Sequence, residues 1–95
     1  MNQTKPIKRY LIILSGTVQG VGCRYFVYRL AHEYGLTGSV KNLDNGNVEI
    51  QAQGDPTILD HFVNHVIQGD RSIRVDNYSC RNIETKPETK FVYGN

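Results

Sequence analysis

Between Lys8 and Leu14 the side chains alternate, with Tyr10, Ile12 and Leu14 on one face and Arg9, Leu11 and Ile13 on the other. Apolar, partly β-branched residues on both faces predict a central strand. From Cys23 the apolar positions move to 23, 26, 27, 30, 31 and 34. That i, i+3, i+4, i+7 spacing predicts an amphipathic helix, which Gly35 closes. Thr37 to Leu43 and Val48 to Gln53 read as strands joined through Asp44-Asn45-Gly46-Asn47. Asn45-Gly46 predicts a tight hairpin turn, because both central positions need positive φ and these two residues tolerate it best. A second helix is predicted where Asp55 can cap and Pro56 can occupy the first turn. Its core face is Leu59, Phe62, Val63, Val66 and Ile67, and Gly69 stops it. Ile73 to Ile83 reads as a strand whose phase changes between Ile73-Val75 and Tyr78-Cys80, as a bulge near Asp76-Asn77 would cause. Lys90 to Tyr93 adds a short edge strand.

This order, β-α-β-β-α-β, predicts an α+β, ferredoxin-like sandwich, an antiparallel sheet covered on one face by two helices. The 95 residues suit one domain, with a core over about 8–93 and residues 1–6 as a flexible tail. Eleven Lys and Arg against nine Asp and Glu leave a net charge of +2, too weak a balance to argue for a nucleic-acid partner. Any anion site must therefore be local. The longest apolar run, Leu11-Ile12-Ile13-Leu14, falls far below the ~18 residues needed to cross a bilayer, and no leader pattern precedes it. A cytoplasmic protein without a membrane partner is expected. Cys23 and Cys80 could form one bridge at most, and a chain with a real core does not need it.

Candidate chemistry gathers in one connection. Ser15-Gly16-Thr17-Val18-Gln19-Gly20-Val21-Gly22 has three glycines in eight residues and runs directly into Cys23-Arg24 at the predicted helix start. Glycine lets backbone N–H groups converge, and a helix N-terminus adds unpaired donors and partial positive charge. Arg24 in the first turn opposes the helix dipole unless an anion lies between them. Its guanidinium can hold a phosphate bidentately, at ~1.5–3 kcal/mol for each charge-assisted hydrogen bond. Taken on the glycines alone, a plain turn beside a surface arginine remains the ordinary alternative. The loop is not a P-loop, since it lacks Gly-Lys-Ser/Thr at its end.

Two motifs resemble those of the acylphosphatase family, small cytosolic enzymes that hydrolyse the carboxyl-phosphate bond. The first is Leu14 through Ser15-Gly16-Thr17-Val18-Gln19-Gly20-Val21-Gly22 to Cys23-Arg24. The second is Gly38-Ser39-Val40-Lys41-Asn42, followed by Gly46, Val48 and Gly54. The resemblance covers about residues 8–93. It implies that Arg24 binds the phosphate, that Asn42 positions the attacking water, and that the amides of Gln19, Gly20, Val21, Gly22, Cys23 and Arg24 form the cradle. It implies a monomer that acts on a small-molecule acyl phosphate without cofactor or metal, with inorganic phosphate as product and competitive ligand. Without the family, Asn42 would be a polar residue near a strand end. The chain departs from the family pattern at Cys23 and Ser39, both usually aromatic positions. A thiol at a helix N-terminus can also be reactive, although Cys23 lies on the apolar face of its helix, where a core role is favoured.

An acyl phosphate has a good leaving group, so positioning and electrostatics can carry its hydrolysis. An asparagine amide cannot take a proton at neutral pH, so Asn42 would orient the water by hydrogen bonding. The substrate's own phosphate would then accept the proton, and no bell-shaped rate profile from a protein base is expected. His32, His61 and His65 fall opposite the apolar stripes of their helices and should face water. His61 and His65 stand at i, i+4 without the glutamate of a zinc protease motif or an evident third ligand. The rival class is a binding module, because the same fold hosts RNA-binding and regulatory domains. Val48 to Gln53 offers no stacking aromatic for RNA. Tyr25 and Tyr28 lie off the core stripe and could meet a partner. A carbamoyl-transfer accessory domain, like that heading larger maturation proteins, would be expected to continue into more chain.

Overall fold

A computed structural model describes residues 6–95. The tail expected over 1–6 lies, for residues 1–5, outside the described residues. The elements are β1 (Lys8–Thr17), α1 (Cys23–Glu33), β2 (Thr37–Asn42), β3 (Val48–Gly54), α2 (Pro56–Gln68), β4 (Arg74–Ile83) and β5 (Phe91–Tyr93). They form one five-stranded sheet in the order β4-β1-β3-β2-β5. This is the ferredoxin-like arrangement. β1 pairs antiparallel with β3 and β4, as its two apolar faces suggested, and β2 pairs antiparallel with β3. β5 runs parallel to β2, so the sheet is mixed rather than wholly antiparallel.

The core lies between one sheet face and the helices. Ile12, Leu14, Val40, Val48, Ile50 and Ala52 point into it from the strands. Val27, Leu30 and Ala31 of α1, with Leu59, Phe62 and Val66 of α2, close it from above. Each fully buried large side chain contributes about 1.5–3 kcal/mol of transfer free energy. Asp55 caps α2, accepting from Thr57 N–H at 2.8 Å and Ile58 N–H at 3.4 Å, with Pro56 in the first turn and Gly69 at the end. The bulge expected near Asp76-Asn77 is present: Ser15 faces Asn77, Gly16 faces Val75, and Asp76 is the extra residue.

The hairpin turn differs from expectation. Gly46 has φ 95°, but no residue other than glycine has positive φ among the described residues, so Asn45 does not. Gly46 N–H donates to Leu43 O at 3.2 Å and Leu43 N–H to Asn47 O at 2.9 Å. That pattern is a type I turn followed by a glycine bulge, which needs positive φ at only one position.

The topology gathers the candidate residues at one end of the sheet. β1 ends there at Thr17, and α1 starts there and runs back down. β2 climbs to Asn42, opposite Val48 at the start of β3. β5, parallel to β2, delivers Tyr93, Gly94 and Asn95 to the same end.

Candidate active site

The connection over 18–22 anchors itself in the core through Val18, which is 1% exposed. Gly20 and Gly22 hold φ 74° and 81°, and Gly22 is the left-handed N-cap residue of α1. A left-handed glycine at this position turns the loop sharply into the helix. Phe26 N–H to Gly22 O, at 3.0 Å, is the first helical bond, and no side chain caps the helix start. The amides of Cys23, Arg24 and Tyr25 therefore precede the intrahelical ladder and add partial positive charge, with no acidic residue in the first turn to offset it. The Gln19 side chain braces the loop against the hairpin, its Nε2 donating to Leu43 O and Asn47 O, both at 2.7 Å.

Arg24 is half-buried on the flank of α1 that faces β5. Its Nη1 donates to the carbonyl of Gly94 at 2.8 Å, and its guanidinium carbon lies 5.1 Å from the centre of the Tyr93 ring. One helical turn on, Tyr28 packs edge-on against Tyr93 at 5.7 Å and near Phe91 at 6.3 Å. Tyr28 is thus part of the support beneath the arginine, whereas Tyr25 stays 57% exposed. Asn42 is tied to the next residue of the same segment: its N–H donates to the main-chain oxygen of Asn95 at 2.6 Å. Gly94 N–H in turn donates to Val40 O at 2.7 Å. The Asn42 side-chain oxygen, Oδ1, is buried and has no hydrogen-bond partner among the described residues.

Arg24, Asn42 and the loop from Gln19 to Arg24 are therefore brought to one end of the sheet, with two adjacent residues of the C-terminal segment as common anchor. Tyr93 and Gly94 were not legible as part of the site, since their contacts with Arg24 cross about 70 residues of sequence. Their only signal was the short edge strand expected over Lys90 to Tyr93.

Cys23 departs from what a helix N-terminus would do to a thiol. Only 2% exposed, it is pushed up to about 11, first by burial and then by the charge of Asp70. Its place is in the core, as favoured. Cys80 is exposed, and its thiol is also raised, by desolvation first and then by Asp60. His32, His61 and His65 are exposed, with His65 Nδ1 3.2 Å from the Tyr34 hydroxyl. A cleft of about 400 Å³ on the other flank of α1 is lined by Val21, Gly22, Tyr25, Arg29 and His65 among others. It shares Val21 and Gly22 with the loop but includes neither Arg24 nor Asn42.

The fold and this end of the sheet define a class: a small α+β domain with a glycine-bent loop, a helix N-terminus and a guanidinium close together. The family model for acylphosphatase matches residues 10–93. The acylphosphatase of Clostridium acetobutylicum is 40% identical over 84 residues, covering 88% of this chain and 92% of that protein. The crystal structure of the Bacillus subtilis acylphosphatase superposes with a TM-score of 0.85 at 39% identity, covering 90% of this chain and 97% of that one. A TM-score of 0.87 at 27% identity relates this chain to full-length HypF in its phosphate- and nucleotide-bound form, 12% of whose chain is covered. The chain belongs to the acylphosphatase family. It is an enzyme of that class, a hydrolase of acyl phosphates.

Proposed function

We propose that hydrolysis takes place at the end of the sheet where the Gln19–Arg24 loop, Arg24 and Asn42 meet. The phosphoryl group sits against the loop amides and the Arg24 guanidinium. A water on Asn42 attacks phosphorus, and the acyl carboxylate leaves. The observation that carries this reading is the Asn42 Oδ1: a buried acceptor left without a partner among the described residues is costly unless water or ligand satisfies it. As an acceptor it fixes the orientation of a water O–H, which leaves the oxygen lone pair directed outward. As an amide it does not take the proton, so the departing proton goes to a phosphoryl oxygen of the substrate. Charge growing on the phosphoryl oxygens is met by donors already in place, the term that dominates such reactions.

Recognition through the phosphate group favours several small acyl phosphates over one. A monomer in the cytoplasm goes with this reading, and sedimentation equilibrium checks the first point. The test of the site is release of phosphate from benzoyl phosphate. Arg24→Ala and Asn42→Ala are each expected to lose about 10²–10³ in kcat/KM, the usual cost of one preorganised donor or orienting group. Turnover within about threefold of wild type in both variants would overturn the assignment. Activity is expected to persist in chelator, and the rate is expected to lack a limb from a protein base.

A further inference from the structure

Residues 84–90 carry the chain from β4 at one edge of the sheet to β5 at the other. They cross the face opposite the helices, and there the sheet holds them by polar side chains. Arg9 of β1, 2% exposed, forms an ion pair with Glu88, whose side chain is 15% exposed. The same guanidinium donates to Gln51 Oε1 at 2.9 Å and to Gln53 Oε1 at 3.4 Å. Gln53, 7% exposed, grips the main chain of Lys86 twice, donating to its carbonyl at 2.8 Å and accepting from its N–H at 3.0 Å.

Length alone does not place β5. The crossing spans four inter-strand spacings, about 19 Å, while eight extended residue steps reach about 27 Å. The slack of about 8 Å is taken up by the anchors. A buried ion pair is seldom better for stability than apolar residues of the same volume, and its best-attested use is to fix register. What is fixed here is a three-residue strand whose last residue lies under Arg24, and whose next residue accepts from it.

We propose that Arg9, Glu88 and Gln53 form a clamp that positions Arg24 for phosphate binding, acting across the sheet through β5. They are positioning residues and touch no substrate. The proposal rests on Arg24 as the phosphate-binding arginine.

The test uses the full chain, benzoyl phosphate as substrate, inorganic phosphate as competitive inhibitor, and thermal unfolding. The stability control is Val63→Ala, a buried change on α2. Glu88→Ala is expected to lower kcat/KM by about tenfold or more and to raise the phosphate inhibition constant in step, because small misplacements of a binding group are costly. Glu88→Gln, which keeps an oxygen for Arg9, is expected to recover to within about threefold of wild type, and Val63→Ala to stay there despite a lower Tm. The Arg24 Nε–H resonance should shift or broaden in Glu88→Ala and hold in Val63→Ala. If Glu88→Ala does not fold, Gln53→Met, which frees Lys86 without unpairing the charge, carries the same expectation. Kinetics and resonance in the clamp variant that match Val63→Ala would overturn the proposal. An active Arg24→Ala would remove the reading beneath it, whereas an inactive Arg24→Ala beside an unaffected Glu88→Ala would sink the clamp alone.

Discussion

Cys23 and Arg24 are neighbours in sequence with opposite environments, because successive helical residues are about 100° apart. Arg24 turns toward β5, while Cys23 turns into the core. At the thiol, burial defeats the helix dipole, which by itself favours the thiolate. A folded-state value of about 11, raised from 9.0, leaves the thiol's contribution to stability intact below pH 9. That contribution is lost as pH rises from 9 toward 11, since the unfolded chain ionises first. Relative to Cys23→Ser, the wild-type protein should therefore lose stability over that window in urea unfolding followed at each pH. Parallel pH dependence of the two proteins would contradict it. A thiol reagent at pH 8 should modify exposed Cys80 in the native protein and reach Cys23 only on unfolding.

The elements were legible to the degree that their signals are local. Asp55, Pro56 and Gly69 mark the limits of α2 by side-chain capping, fixed φ and a stop residue, and all three act within one turn. Removing the cap in Asp55→Ala should cost about 1 kcal/mol in urea unfolding and leave benzoyl phosphate turnover unchanged. A loss below a few tenths of a kcal/mol, the scale of an exposed substitution, would mean the cap bonds do not hold the helix start. The bulge at Asp76 was legible for a similar reason, because a phase change in side-chain alternation has no other local cause. The hairpin misled because Gly46 serves two turn types, and the sequence Asn45-Gly46 does not choose between them. β5 was legible as a strand but not in its direction. Its partner β2 is set by where the 84–90 crossing is anchored, and those anchors lie on β1 and β3. The contacts that β5 and Gly94 make with Arg24 were hidden with it, while Arg24 and Asn42 stood out as candidates through their motifs.

At the scale of the molecule, a net charge of +2 is nearly neutral, so under the proposed reading attraction for an anion comes from the one end where the helix start, the loop amides and Arg24 converge. Diffuse positive charge and a built cradle make different demands on solution behaviour. A ligand that binds only the folded chain stabilises it by RT ln(1 + [L]/Kd), about 1.4 kcal/mol at tenfold excess over Kd. For a domain of this length that corresponds to about 6–11 °C in Tm. Inorganic phosphate at ten times its inhibition constant should raise the Tm of the wild-type protein by this amount, against chloride at matched ionic strength. Arg24→Ala should lose most of the shift, because the guanidinium supplies the charge-assisted bonds, while Asn42→Ala should keep it, because it loses a water site and leaves the cradle intact. Equal shifts with chloride would assign the effect to general charge screening, which for surface charges is weak and indifferent to the anion. An unshifted wild type would mean that the donors do not bind phosphate as a unit.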